Sequence, residues 1–263
     1  MRRLLATLVL IASCAKPGGT DASRPPDAAT PTQDPVSSSA APHDDAFSWH
    51  SVQIGHTQVH YATLGERREG GPVLIALPPG PQTKEMVVAG LERWATSMAD
   101  DGWFVVSPVS PHGTFFKESA DILPEFLDAA GAAHGFEQEG LFLFGMSNGG
   151  LSAFALAIAE TQRFRALVTI PGRPTEAGMS KVAALSEIPI TMVVGANDDS
   201  FWTDGAETAQ AALVASGAHV TLQVLPDTGH AAHLNVDWDT LRGFLDPQSE
   251  PASSVVPTGD DPT

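Results

Sequence analysis

Ser147 lies in Gly145-Met146-Ser147-Asn148-Gly149, with a glycine two residues to either side, an apolar run before it and apolar residues at helical spacing after it, through residue 160. A serine between a buried strand and a helix must turn sharply, and only small neighbours leave room for that strained turn. The G-x-S-x-G pattern in this context is that of a nucleophile elbow. A hydroxyl is a poor nucleophile near neutral pH, so it needs a histidine to take its proton and a carboxylate to orient that histidine. Both types occur downstream. "VVGANDDSFW" supplies Asp198 and Asp199 just after a second apolar run, and "LPDTGHAAH" supplies His230 and His233 after a third.

These residues need a frame that gathers chain segments far apart in sequence. Continuous apolar runs at 72–78, 103–109, 140–146, 165–170, 188–195 and 219–226 read as strands buried on both faces. Helical patterns fall between them at 83–100, 117–134, 148–161, 204–216 and 235–245. The runs "FSWHSVQIG" and "HTQVHYATL" meet near Gly55 and predict an opening hairpin. This alternation predicts an α/β protein with a mostly parallel sheet and helices on both faces. In such sheets, chemistry collects at the carboxyl ends of the strands.

With Ser147, then an aspartate, then a histidine in chain order, the sequence resembles the α/β-hydrolase fold family over residues 46–246. In that family the acid follows a Gly-x-x-Asp pattern, matched by Gly195-Ala196-Asn197-Asp198, and the histidine follows glycine, as in Gly229-His230. The resemblance therefore implies a Ser147, Asp198, His230 triad, with Asp199 and His233 as runners-up. The oxyanion hole requires two backbone N–H groups. Asn148, after the nucleophile, gives one. For the other, "LPPGPQT" resembles the "LHGxGQT" loop of esterases related to polyhydroxybutyrate depolymerases and feruloyl esterases, which implies Gly80. The family's His-Gly pair is here Pro78-Pro79, and Pro81 has no N–H to give. The segment between Ile170 and Ile188 is too short for a helical cap domain, which implies an open cleft. His112, Phe115 and Trp202, with Phe116 and Phe201 beside them, are candidates to line it.

Composition narrows the partners. The 263 residues carry 31 acidic and 14 basic side chains, a formal net charge of −17. Such a surface repels nucleic-acid phosphates and anionic headgroups. Metal-ligand spacing and a phosphate-cradling glycine loop are both missing from the sequence, so no cofactor is expected.

The amino terminus reads as an export signal, with Arg2 and Arg3 before a short apolar run from Leu4 to Ala12. Ile11-Ala12-Ser13-Cys14 resembles the lipobox of bacterial lipoproteins, in which the cysteine is lipidated and the chain is cut before it. Cys14 is the one cysteine in the chain, which excludes an intramolecular disulfide. The expected organisation is a signal peptide at 1–13, a Pro/Ala/Ser-rich tether at 14–45, the hydrolase domain at 46–246 and a tail of similar composition at 247–263. As a flexible coil the tether has a span of about 30 Å. Ala15 follows the cysteine where, by resemblance to enteric bacteria, aspartate would retain a lipoprotein at the inner membrane, so the outer membrane is favoured if the source has one.

The expectation is an exported, lipid-anchored serine hydrolase that cleaves small-molecule or polymeric carboxylic esters. A serine peptidase on the same fold and a surface-tethered binding protein without catalysis are the alternatives. The sequence specifies no oligomeric state.

Overall fold

The structure, a computed structural model, describes residues 46–246. The expected signal segment, Cys14, the tether and the tail lie outside the described residues. Within the described span, no helix is long and apolar enough to cross a membrane.

The expected hairpin forms from β1 (Ser48–Ile54) and β2 (Thr57–Leu64), paired antiparallel around Gly55. The strands β3 (Val73–Leu77), β4 (Phe104–Pro108), β5 (Leu141–Gly145), β6 (Phe164–Thr169), β7 (Ile190–Gly195) and β8 (Val220–Leu225) follow the apolar runs closely. All eight join one sheet in the order β1-β2-β4-β3-β5-β6-β7-β8. Strand β2 meets β4 antiparallel, and every pairing from β4 to β8 is parallel.

Successive side chains on a strand face opposite sides, so a strand buried on both faces divides its residues between two cores. On β3, Val73, Ile75 and Leu77 enter one core, and Leu74 and Ala76 the other. Strand β5 splits in the same way, with Leu141 and Leu143 opposite Phe142 and Phe144. The first core is closed by α2 (Ile122–His134), α3 (Asn148–Ala159) and α5 (Thr203–Ala215), through Phe126, Phe154 and Leu213 among others. The second is closed by α1 (Lys84–Asp100) and α6 (Trp238–Leu245), through Leu91, Trp94 and Leu241.

Three expectations change in detail. The single helix read at 117–134 is instead a π-helical turn, Phe115–Ser119, followed by α2. Proline in a helix interior clashes with the carbonyl four residues earlier. Restarting the helix at Ile122 moves Pro124 into a first turn, where it is tolerated. The run at 219–226 forms β8, but as an edge strand: its residues are half-buried or exposed, and Val224 is 48% exposed. The last helix begins later than the pattern suggested, at Trp238, where the Asp237 side chain accepts the N–H of Thr240 at 2.8 Å. The connection between β6 and β7 holds only the four-residue α4 (Glu176–Met179) and one 3-10 turn, Val182–Leu185. No cap domain rises from it.

Candidate active site

The elbow forms where β5 passes directly into α3. Ser147 takes φ 54° and ψ −118°, a conformation that side-chain-bearing residues rarely adopt. The flanking glycines answer to packing. A Cβ on Gly149 would strike the carbonyls of Leu77 and Pro78, and one on Gly145 would strike the carbonyl of Gly149. The turn is tied to the next strand's loop by the Ser147 N–H, which donates to the Pro171 carbonyl at 2.8 Å.

Three strand ends deliver the expected polar groups to one place. Ser147 lies two residues beyond β5, Asp198 three beyond β7 and His230 five beyond β8. Ser147 Oγ is 2.8 Å from His230 Nε2. His230 Nδ1 is 2.9 and 3.1 Å from the two Asp198 oxygens. A carboxylate can only accept, so Nδ1 carries the proton and leaves Nε2 free to accept from the serine hydroxyl. The Asp198 side chain is 3% exposed and that of His230 48%. The acid is therefore shielded while the base faces solvent.

The runners-up stand apart from this chain of bonds. The Asp199 carboxylate accepts the Phe201 N–H at 2.9 Å and shapes the entry to α5. His233 lies on the 3-10 turn Ala232–Asn235, and its pKa is held below the usual value by burial first, then by the charges of Arg93 and His230. The same turn is held from α1: Trp94 Nε1 donates to the Val236 carbonyl at 3.0 Å, and Arg93 Nη1 to the Leu234 carbonyl at 2.7 Å. Sequence patterns showed no sign of this bracing, because its partners lie more than 140 residues apart.

The two expected oxyanion donors are neighbours. The Asn148 side-chain amide donates to the Gly80 carbonyl at 2.9 Å. Among the described residues, the backbone N–H groups of Asn148 and Gly80 have no acceptor and are free to receive one. The Gly80 loop is closed by the Gln82 N–H, which donates to the Pro79 carbonyl at 3.1 Å. The Gln82 side chain donates to the Pro78 carbonyl at 3.1 Å and accepts the Phe115 N–H at 2.7 Å. Gln82 matches the glutamine of the quoted loop motif, but the sequence assigned it no role.

The candidate lining residues separate. Trp202 lies with its ring 5.1 Å from that of His230. Phe115 is fully buried in the first core, so its side chain does not line a solvent-filled cleft. Its neighbour Phe116 packs instead against Leu151, Val194 and Trp202. The alternation of exposure around the π-helical turn reverses the expected order of this pair. His112 is exposed beside the hairpin, in a groove with His56 and His60. Its carbonyl accepts from Ser119 Oγ at 3.1 Å, and none of its hydrogen bonds among the described residues reaches the triad. Phe201 is 48% exposed, with the Arg173 guanidinium 3.8 Å from its ring centre. A cavity of about 970 Å³ opens at the other end of the sheet, by Val73, Leu141 and Arg165. Chemistry, not volume, locates the site.

A mostly parallel sheet with helices on both faces, delivering serine, aspartate and histidine in that order from the ends of β5, β7 and β8, is the α/β-hydrolase fold. Residues 114–237 match the model of the dienelactone hydrolase family, a span that takes in Ser147, Asp198 and His230 but not Gly80. No curated protein sequence matches the chain. Among solved structures, a thermostable esterase is similar with a TM-score of 0.64 and 15% identity, over 76% of this chain and 62% of its own. A ferulic acid esterase is similar with a TM-score of 0.57 and 15% identity, over 70% of this chain and 90% of its own. The dipeptidyl peptidase 4 of Porphyromonas gingivalis gives 0.56 and 13%, over 70% of this chain and 32% of its own. The chain thus spans less than two thirds of the thermostable esterase and about a third of the peptidase, and these likenesses establish the fold.

Proposed function

We propose that the protein is a serine hydrolase of carboxylic esters, acting through an acyl-enzyme on Ser147. The observation that carries this reading is the unbroken chain of contacts from Ser147 Oγ to His230 Nε2 at 2.8 Å and from His230 Nδ1 to Asp198 at 2.9 Å. In the first half-reaction, Ser147 Oγ attacks the ester carbonyl carbon as its proton passes to His230 Nε2. The carbonyl electron pair moves onto oxygen, facing the N–H groups of Asn148 and Gly80. Collapse of this intermediate expels the alcohol, which takes the proton from Nε2. Water then attacks the acyl carbonyl, gives its proton to the same nitrogen, and the carboxylic acid leaves as Ser147 recovers its hydrogen. Asp198 stays ionised throughout and holds the ring in the tautomer that the cycle needs. Trp202, its ring 5.1 Å from that of His230, and Phe116, packed against the same apolar cluster, form an apolar flank for the substrate.

The shared fold of the two esterases supports ester substrates. The test is labelling by a fluorophosphonate probe together with turnover of p-nitrophenyl acetate and of a dipeptide anilide. The reading expects labelling lost in Ser147→Ala and ester turnover at least a hundredfold above anilide turnover. Turnover that survives in folded Ser147→Ala would sink the mechanism, and a preference for the anilide would favour a peptidase.

A further inference from the structure

We infer that Gln82 is the positioning residue of the oxyanion hole, fixing the direction of the Gly80 N–H through bonds to the two carbonyls that precede it, those of Pro78 and Pro79. The inference rests on the hydrolase reading above. In Pro78-Pro79-Gly80-Pro81, three residues have no N–H, so Gly80 alone can donate from the loop. A lone donor must be aimed, because an oxyanion hole works only when its donors already point where the charge will develop.

Three bonds do the aiming. Gln82 Nε2 donates to the Pro78 carbonyl at 3.1 Å, its backbone N–H to the Pro79 carbonyl at 3.1 Å, and Asn148 Nδ2 to the Gly80 carbonyl at 2.9 Å. Gln82 is itself held from three directions. Its Oε1 accepts from the Phe115 N–H at 2.7 Å and from Ser152 Oγ at 3.3 Å, and its carbonyl accepts the Ser110 N–H at 2.9 Å. Ser152 lies on α3, one turn past the elbow, and its hydroxyl is also 3.0 Å from the Asn148 carbonyl. The same side chain therefore ties the Gly80 loop to the helix that carries the other donor.

The residue type follows from these partners. The Pro78 carbonyl needs a donor and the Phe115 N–H an acceptor, on one planar group. The position is fully buried, where a charge is costly. A neutral amide meets all three demands. Its backbone stands at φ 56°, a strained value for a residue with a side chain, and such strain persists only where the surroundings impose it.

The test compares Gln82→Glu and Gln82→Met with the wild type on p-nitrophenyl acetate, measuring kcat and KM from pH 5 to 8 with melting temperatures alongside. At pH 8 a carboxylate in Gln82→Glu keeps the acceptor and loses the donor. We expect kcat to fall about 10- to 100-fold, as for small misplacements of a catalytic group, with KM within about threefold of the wild type. Protonated glutamic acid is shaped like glutamine and can donate to Pro78, and burial raises its pKa. The ratio of variant to wild-type kcat should therefore recover at least fivefold as the pH falls to 5, whereas Gln82→Met should lose activity evenly at all pH values. Wild-type kcat in folded Gln82→Glu, or a deficit independent of pH, would overturn the inference. Should Gln82→Met not fold, the pH-resolved ratio of Gln82→Glu still decides. A wild type without Ser147-dependent labelling would instead bring down the hydrolase reading, and this inference with it.

Discussion

Two adjacent carboxylates after β7 have different work. Asp198 faces His230 with its side chain almost wholly shielded, while Asp199 turns back to the Phe201 N–H. Asp198→Ala should therefore lower ester kcat by about three to four orders of magnitude, because the imidazole loses the group that holds its tautomer. Asp199→Ala should leave kcat within about threefold and lower the melting temperature by about 2–4 °C, the effect of one exposed hydrogen bond worth about 1 kcal/mol. Paired kinetics and thermal melts of the two variants check this. If Asp199→Ala is the more damaging to kcat, the acid role moves by one residue. At this scale the serine, acid and histidine were legible because each follows a recognisable apolar run and their order matches a known pattern. Gln82 was not legible. Its match to the loop motif carried no role, because its partners Phe115 and Ser152 lie 33 and 70 residues away.

Elements hold these residues in place, and the helix α1 does so for the histidine. Its Trp94 is buried against Phe144 and bonds the Val236 carbonyl just past the His230 loop. Trp94→Phe keeps most of the apolar volume but leaves that carbonyl without its donor, at a cost of about 1–3 kcal/mol. The expected result is a lower melting temperature with faster amide exchange concentrated at residues 228–236. Uniformly faster exchange would show that the contact serves the whole fold and not the loop. On the other core, His134 Nε2 at the end of α2 lies 3.0 Å from the Tyr61 hydroxyl, beside His50. Burial, and secondarily the neighbouring His50, hold its pKa below the ordinary histidine value. The unfolded chain then binds the proton first, so stability is full above the ordinary histidine pKa and is lost as the pH falls from there towards the lower folded value. His134→Gln should reduce the drop in melting temperature between pH 7 and pH 5, and an unchanged drop would assign the acid sensitivity elsewhere. Strands were easier to read than helices here, because burial on both faces writes a continuous apolar run. The π-helical turn before α2 was hidden, since one proline decides where the helix can restart, and β8 was overread, since an edge strand can carry the same apolar run as a central one.

At the level of the whole molecule, the amino-terminal sequence motivates a proposal about where the enzyme acts. We propose that Cys14 carries the lipid anchor and that the exported domain works at the end of its tether. Cys14→Ser should move the protein from the membrane pellet to the soluble fraction with unchanged specific activity, because the site lies on the hydrolase domain and the anchor would join it only through the expected tether. Mass spectrometry of the mature amino terminus checks the same point, and an unmodified Cys14 would defeat the anchor while leaving the hydrolase reading intact.

The short link between β6 and β7 has a consequence for the fate of the acylated serine. With no cap domain between β6 and β7, and with His230 48% exposed at its side chain, the proposed acyl-enzyme would stand open to solvent on the histidine side. Closed sites protect reactive intermediates from hydrolysis, and this one does not. Added alcohols must then compete with water at full concentration for the same carbonyl. On the proposed mechanism, the share of acyl groups passed to methanol instead of water should rise in proportion to the methanol present, and product analysis in aqueous methanol checks this.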